Sequence, residues 1–370
     1  LLFGKVLKKF GISQIMTYHK TRKREAELTY PYMPRRLPKD SYLYDFHFHS
    51  YYSDGRGTFQ DILNQIRRKG HLNGLCITDH PYHPGEDFRE KIPTDKVIEH
   101  SFEFQELIEE FKKRGKLSNE FTSFPGSCEF YTRLDEDTED EVELIVLGVP
   151  RDFISANGGL KRLTDCCHAV ELIEKVHDNN GLVIVPHPFY MTRAHELFRR
   201  DLPRNSRPDA IETINYTTGF MYDSAFHGFL SQLPFFKQTR TISNNFGYFN
   251  WMSTVISQPN DYGKHFDYPL ARNVAPVASS DAHFQTCIGA ASTISRRPLR
   301  SVEDLREVFH ERSTVPILNP RWKDSTRRWE VFKEIWDAYG SFVNDGIKEQ
   351  PFFKWILAKT IVDITSLVFD

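Results

Sequence analysis

Tyr42-Leu43-Tyr44-Asp45-Phe46-His47-Phe48-His49 is the stretch on which the reading of this chain turns. Tyr44, Phe46 and Phe48 alternate with Asp45, His47 and His49, the two-residue period of a β-strand. One face is aromatic. The other carries a carboxylate and two imidazoles. Burying ionisable groups in this way is very costly unless something pairs with them.

The pattern repeats outward from this strand. A helix follows it, with Thr58 as N-cap and Asp61 three residues on. Phe59, Ile62, Leu63 and Ile66 form its apolar stripe, and Gly70 stops it. Short apolar runs then recur. Gly74–Ile77 ends in Thr78-Asp79-His80, and Phe121–Phe124 leads into Gly126-Ser127-Cys128-Glu129. Val142–Val149 comes next, and Leu182–Val185 leads into Pro186-His187-Pro188. Ala210–Ile214 follows, then Val274–Ala278, leading into Ser279-Ser280-Asp281-Ala282-His283. Helical patterns cover Thr94–Arg114, Leu160–Asn179 and Ser301–Arg312. This alternation predicts an α/β fold with a largely parallel sheet.

The composition suits a folded chain: of 370 residues, 39% are hydrophobic and 26% charged. Lys and Arg total 48 against 50 acidic residues, so the whole chain is not a polycationic nucleic-acid binder. Five cysteines without a CxxC spacing suit free thiols in a reducing compartment, and a cytoplasmic protein is expected. No run of about 20 apolar residues predicts a transmembrane helix. The first residue is Leu1, which leaves room for a removed targeting segment.

Residues 1–40 form a basic arm, with ten basic side chains against three acidic ones. It reads as a solvated arm on an acidic body, or as a contact for an anionic partner or membrane surface. The acidic stretch 134–143 reads as a solvated loop. Residues 215–270 are aromatic, with Tyr216, Phe220, Tyr222, Tyr248, Phe249 and Trp251, and read as a lid, a substrate-facing insertion or core. Residues 321–370 form a helical tail. Only its last part, 351–370, is strongly apolar, and it either packs on the body or offers a homo-oligomer or membrane-surface contact.

The chemistry lies in where the ionisable residues fall. His47, His49, Asp54, His80, Glu129, His187, Asp281 and His283 each sit at or just after a predicted strand end. In an α/β barrel, catalytic groups collect at that mouth. One such residue is ordinary core or turn. Eight together call for compensating charge, which two or three divalent cations supply. A nitrogen and oxygen donor set without thiolate suits Mn, Fe or Zn. Cys128, beside Glu129, points to the opposite face and is assigned to packing.

The stretches DFHFHSYYSDG (45–55), ITDH (77–80), PGSCEF (125–130), VPHPF (185–189) and SSDAH (279–283) resemble, in this order, the motifs of the PHP (polymerase and histidinol phosphatase) family of metal-dependent phosphoesterases. The resemblance spans about residues 42–295. It implies a distorted TIM-like (β/α)7 barrel over 41–320, between the basic N-terminal arm and the helical C-terminal extension. It implies one metal on His47, His49, Glu129 and Asp281, a second on Glu129 and His187, and a third on Asp54, His80 and His283. The second metal usually takes a further His from a segment like HLLALG. Here that segment is ELIVLG (143–148), so Glu143 stands in its place and favours a harder ion.

The implied reaction is hydrolysis of a phosphate ester by a hydroxide that the metals activate. Arg56 and Arg193 are candidate clamps on the phosphate oxygens, although each also reads as a surface arginine. Asp79 is a candidate for orienting a ligand histidine. His83 is either a proton donor to the leaving oxygen or a plain loop histidine. The acidic body argues against long DNA, so a small phosphomonoester, phosphodiester or nucleotide is the expected substrate. Two other classes stay open. An amidohydrolase-type barrel also opens with HxH and closes with a late Asp, but leaves Asp54, TDH and SDAH unexplained. A catalytically silent scaffold would show a decayed ligand set, and here only Glu143 departs in type.

Overall fold

The structure, a computed structural model, describes residues 37, 40–53, 55, 57–80, 94–137, 140–151, 168–188, 194–215, 273–283 and 285–318. The basic arm apart from Leu37 and Asp40 lies outside these residues, as do Asp54, Arg56, His83, Cys166, Cys167, Arg193, the aromatic stretch 216–272 and the tail beyond 318.

Strand β1 (Tyr42–Asp45) lies between β2 (Gly74–Leu75) and β8 (Ala291–Ser295), and β9 (Val315–Leu318) follows β8 at the edge. The second sheet has the order β3 (Cys128–Arg133), β4 (Glu141–Leu147), β5 (Leu182–Val185), β6 (Ala210–Asn215), β7 (Ala275–Ser279). Three of the seven strand pairings are parallel and four are antiparallel. The expected largely parallel sheet is therefore corrected to two mixed sheets. The connection between β3 and β4 is too short for a helical crossover, so the pair must be antiparallel. Of the acidic stretch read as a loop, residues 134–137 and 140 lie between β3 and β4, and 141–143 are the start of β4. Isolated parallel bridges, Phe48 to Ala282 and Gly74 to Thr122, extend the pairing beyond the strands. Among the described residues these strands do not close into one barrel.

Helix α1 (Phe59–Lys69) forms as its sequence dictates. Thr58 Oγ1 accepts the Asp61 amide, and Gly70 ends the helix at φ 60° with its N–H on Ile66 O. Phe59, Ile62, Leu63 and Ile66 are all buried. Helices α2 (Thr94–Lys113), α3 (Ala169–Asp178) and α4 (Val302–Glu311) complete the set, with a Ser301–Asp304 capping box opening α4. No helix among the described residues is long and apolar enough to cross a membrane.

The aromatic face of residues 42–49 divides between two cores. Tyr44 and Phe46 stack at 5.9 Å and pack with Phe124, Ile145, Ile184 and Phe309, a cluster drawing on both sheets and α4. Phe48 instead joins Ile62, Leu63 and Ile66 of α1. A third cluster lies on the outer face of the β3–β4 hairpin, where Cys128, Phe130, Val142 and Leu144 pack on Leu172, Ile173 and Val176 of α3.

Gly126, which leads into β3, has φ 77°, and a Cβ there would sit 1.9 Å from Val149 O. Gly126→Ala is expected to cost about 3 kcal/mol in strain. That corresponds to a fall in Tm of roughly 6–12 °C. Thermal denaturation checks it, and an unchanged Tm would show that the turn can relax.

Candidate metal centre

Each element delivers its side chains by ordinary local rules. Beyond β1 the chain stays hydrogen-bonded to the segment after β7: Asp281 N–H donates to His47 O at 2.9 Å and His49 N–H to Ala282 O at 3.1 Å. This pairing brings His47 and His49 beside Asp281 and His283. Asp281 has φ 48°, an uncommon conformation for a residue with a Cβ.

In the β3–β4 hairpin, Tyr131 is directly opposite Glu143. Alternation puts Glu129, Tyr131 and Glu143 on one face, with Cys128 and Phe130 on the other, in the core. Glu129 is thus the second residue of β3 and Glu143 the third of β4, neither at a C-terminal mouth. The sequence reading that placed Glu129 just after a strand is corrected on this point. His187 does follow the end of β5.

These residues meet. His47 Nε2 lies 2.9 Å from Glu129 Oε2, 3.0 Å from His49 Nε2 and 3.4 Å from Asp281 Oδ1. His49 Nε2 is 3.2 Å from Glu129 Oε2 and 3.3 Å from Asp281 Oδ1. His80 Nε2 is 3.6 Å from Glu129 Oε2. His187 reaches Glu129 Oε1 at 3.2 Å through Nε2 and Glu143 Oε2 at 3.3 Å through Nδ1. The His80 and His283 rings both stack on His49, with centroids 4.5 and 4.3 Å away. Four sets of donor atoms converge closely enough to share an ion: His49, His80 and His283; His47, His49 and Glu129; His47, His187 and Asp281; Glu129, Glu143 and His187. Of the nine sequence-predicted ligands, eight are brought together here, and the ninth, Asp54, lies outside the described residues.

The electrostatics call for positive charge. Burial alone would lower the His47 pKa, but the Glu129, Asp281 and Glu212 carboxylates outweigh it and hold it well above the usual range. His187 likewise rises to about 9, burial being overcome by Glu143 and Glu129. Burial pushes Glu143 up to about 7, a carboxylate short of compensating charge. Glu129 and Asp281 are held below the carboxylate range, because neighbouring imidazoles, His47 first, outweigh their burial.

The donor set fits divalent cations. Imidazole nitrogens of His47 and His49 face each other at 3.0 Å, and both face the same two carboxylate oxygens. Glu129 Oε1 and Glu143 Oε2 are buried without receiving a hydrogen bond, although His187 lies within ion-pairing distance of each. Nitrogen and carboxylate oxygen donors without thiolate are the chemistry of Mn, Fe or Zn ligation.

Two further carboxylates, Asp79 and Glu212, lie around the cluster. Asp79 is buried and bonded to the turn after His49: Oδ1 accepts Ser50 N–H at 2.6 Å and Ser53 Oγ–H at 2.7 Å, and Oδ2 accepts Ser50 Oγ–H at 2.5 Å. It holds the loop that leads to Asp54 and Arg56. The carboxylate that meets a histidine ring from outside the cluster is Glu212, whose Oε1 lies 3.0 Å from His47 Nδ1. Sequence reading missed Glu212. Its one signal was a charged residue inside the apolar run Ala210–Ile214.

The family model for the PHP-associated segment matches residues 268–314, the stretch that contains Asp281 and His283. No curated protein matches the chain. Similar solved structures include a two-domain protein from Bacteroides vulgatus containing a predicted PHP-like metal-dependent phosphoesterase (12% identity, TM-score 0.43, covering 77% of this chain and 68% of that one). Another is a candidate metal-dependent phosphoesterase from Bifidobacterium adolescentis (14% identity, TM-score 0.37, 72% and 94% covered). A third is an amidohydrolase from Chromobacterium violaceum with bound sulfate (12% identity, TM-score 0.35, 72% and 96% covered). The PHP-associated segment is thus matched at 268–314, and His47, His49, His80, Glu129, His187, Asp281 and His283, from the five motifs that resemble those of the PHP family, gather at one site.

Proposed function

We propose that this chain is a metal-dependent phosphoesterase that hydrolyses a small phosphomonoester, phosphodiester or nucleotide with two or three divalent cations of the Mn, Fe or Zn type. The observation that carries the reading is Glu129. One of its oxygens faces His47, His49 and His80, and the other faces His187, as a carboxylate shared between cations would.

His47, His49, Glu129 and Asp281 would hold one ion, and Glu129, Glu143 and His187 a second. His80 and His283, with Asp54, would hold a third. Bound cations supply an activated water and neutralise charge on the phosphate oxygens. Buried carboxylates keep the histidines in place, and Asp79 fixes the Ser50–Ser53 turn from which Asp54 and Arg56 follow. Arg56 and Arg193 are proposed to grip the phosphate oxygens. Glu143 would give the second ion two carboxylates and one imidazole, a set that favours a harder ion than one carboxylate and two imidazoles would. Cys76, Cys128 and Cys287 are free thiols, which suits the cytoplasm as the working compartment.

The test is elemental analysis together with Mn²⁺-stimulated hydrolysis of p-nitrophenyl phosphate and bis-p-nitrophenyl phosphate. Two or three ions per chain are expected. His47→Ala and Asp281→Ala should each lose at least ~100-fold in turnover, since even partners outside the ligand shell are worth 10–100-fold. Bound metal with turnover of an amide and of neither phosphate ester would move the chain to the amidohydrolase class. A wild-type protein that binds no metal after reconstitution would end the enzyme reading.

A further inference from the structure

Glu212 and Asn215 come from one short strand, yet three residues apart in a regular strand they would face opposite sides. The register of β6 against β7 shifts between Glu212 and Ile214, a bulge that turns both onto the same side. Both are buried. Together they touch three of the residues assigned above to the cations, and do so from outside the cluster. Glu212 Oε1 lies 3.0 Å from His47 Nδ1, and Oε2 accepts the His187 backbone N–H at 3.0 Å and an Asn215 Nδ2 hydrogen at 2.9 Å. Asn215 Nδ2 also donates to Asp281 Oδ2 at 3.1 Å.

With the Glu212 carboxylate as acceptor, the hydrogen between it and His47 sits on Nδ1. With a cation in the cluster His47 is neutral and has one N–H, so this leaves the Nε2 lone pair directed at the point where His49, Glu129 and Asp281 converge. We propose that Glu212 and Asn215 are a positioning pair: Glu212 sets the His47 tautomer, and the two together fix the spacing of His47, His187 and Asp281. The inference rests on the reading of the cluster as a metal centre.

Glu212→Gln preserves shape and one acceptor but puts an NH₂ group among the His187 and Asn215 donors, or against His47 Nδ1–H. Its Mn²⁺ affinity, measured by competition with a chelator, is expected to fall about 10–100-fold. In ¹⁵N-histidine-labelled wild type loaded with diamagnetic Zn²⁺, an imidazole Nδ1–H resonance slow to exchange is expected. It should vanish in Glu212→Ala and persist in Asn215→Ala, which loses its bonds to Asp281 and to Glu212 Oε2 and with them Mn²⁺ affinity, while His47 Nδ1 keeps its partner Glu212 Oε1. A purely structural role would shift thermal stability without this split between the two variants. Should the Ala variant of Glu212 not fold, the affinity of the Gln variant decides. Wild-type affinity in Glu212→Gln, or a protected Nδ1–H in Glu212→Ala, would overturn the inference while leaving the metal centre intact. No metal in the wild type would overturn both.

Discussion

Glu129→Gln is expected to bind at least one fewer metal ion per chain than wild type and to lose roughly 10³-fold in kcat/KM, about 4 kcal/mol of transition-state stabilisation. The carboxylate has no spare oxygen: Oε2 lies 2.9 Å from His47 and 3.2 Å from His49, and Oε1 lies 3.2 Å from His187. Glutamine replaces one of these oxygens with a donor. Whichever way the amide turns, an NH₂ group meets either the His47–His49 pair or His187, and it cannot ligate a cation. The lost negative charge adds to this, because no other side chain belongs to both the His47–His49 set and the Glu143–His187 set. Elemental analysis and steady-state kinetics under saturating Mn²⁺ measure the two effects. A variant with full metal content and activity within about tenfold of wild type would remove Glu129 from the centre of the mechanism.

Much of this site was legible in the sequence because its ligands sit in short local motifs. The HxH at 47–49 and the DAH at 281–283 each need only a strand-like end to display them, and they became neighbours through three residues of backbone pairing. Helices α1 and α4 were legible down to their caps, since Thr58, Gly70 and Ser301 act on backbone groups within four residues. The misreadings share a cause. Glu129 and Glu143 are adjacent only through the antiparallel register of β3 and β4, and local alternation cannot show which strand pairs with which. Strand β8 (ASTIS) is entirely buried but made of small and hydroxyl residues, so no apolar run announces it. Glu212 looks like a polar interruption in a strand. Its role depends on a bulge, on β5 beside it and on His47 from the other sheet, 165 residues away in sequence.

Asp45→Ala is expected to strike the fold before the chemistry. Asp45 ends β1, and the sequence puts it on the ionisable face with the two histidines. In the structure it bonds elsewhere: its carboxylate accepts Ser280 N–H at 2.9 Å, Ser280 Oγ–H at 2.5 Å and Gly289 N–H at 3.0 Å. Those donors belong to the segment carrying Asp281 and to the turn before β8, so one buried side chain ties β1 to both. Alanine leaves three buried donors without their acceptor, at about 1–3 kcal/mol each, or roughly 3–6 kcal/mol after partial relaxation. That is a large share of the ~5–15 kcal/mol by which domains are stable. In the metal-free protein Tm should fall by at least ~6 °C. Metal affinity should fall as well, because Asp281 follows Ser280 directly. Thermal denaturation with and without Mn²⁺ distinguishes this residue from Glu129. For Asp45→Ala the metal-free Tm must already be low, and added metal should recover part of it. For Glu129→Gln the metal-free Tm should stay near wild type, and the stabilisation by metal should be what disappears. An Asp45→Ala protein with a metal-free Tm within about 2 °C of wild type, a change worth less than about 1 kcal/mol, would show that water replaces the carboxylate and that the tie between β1 and the Asp281 segment is carried by backbone pairing alone.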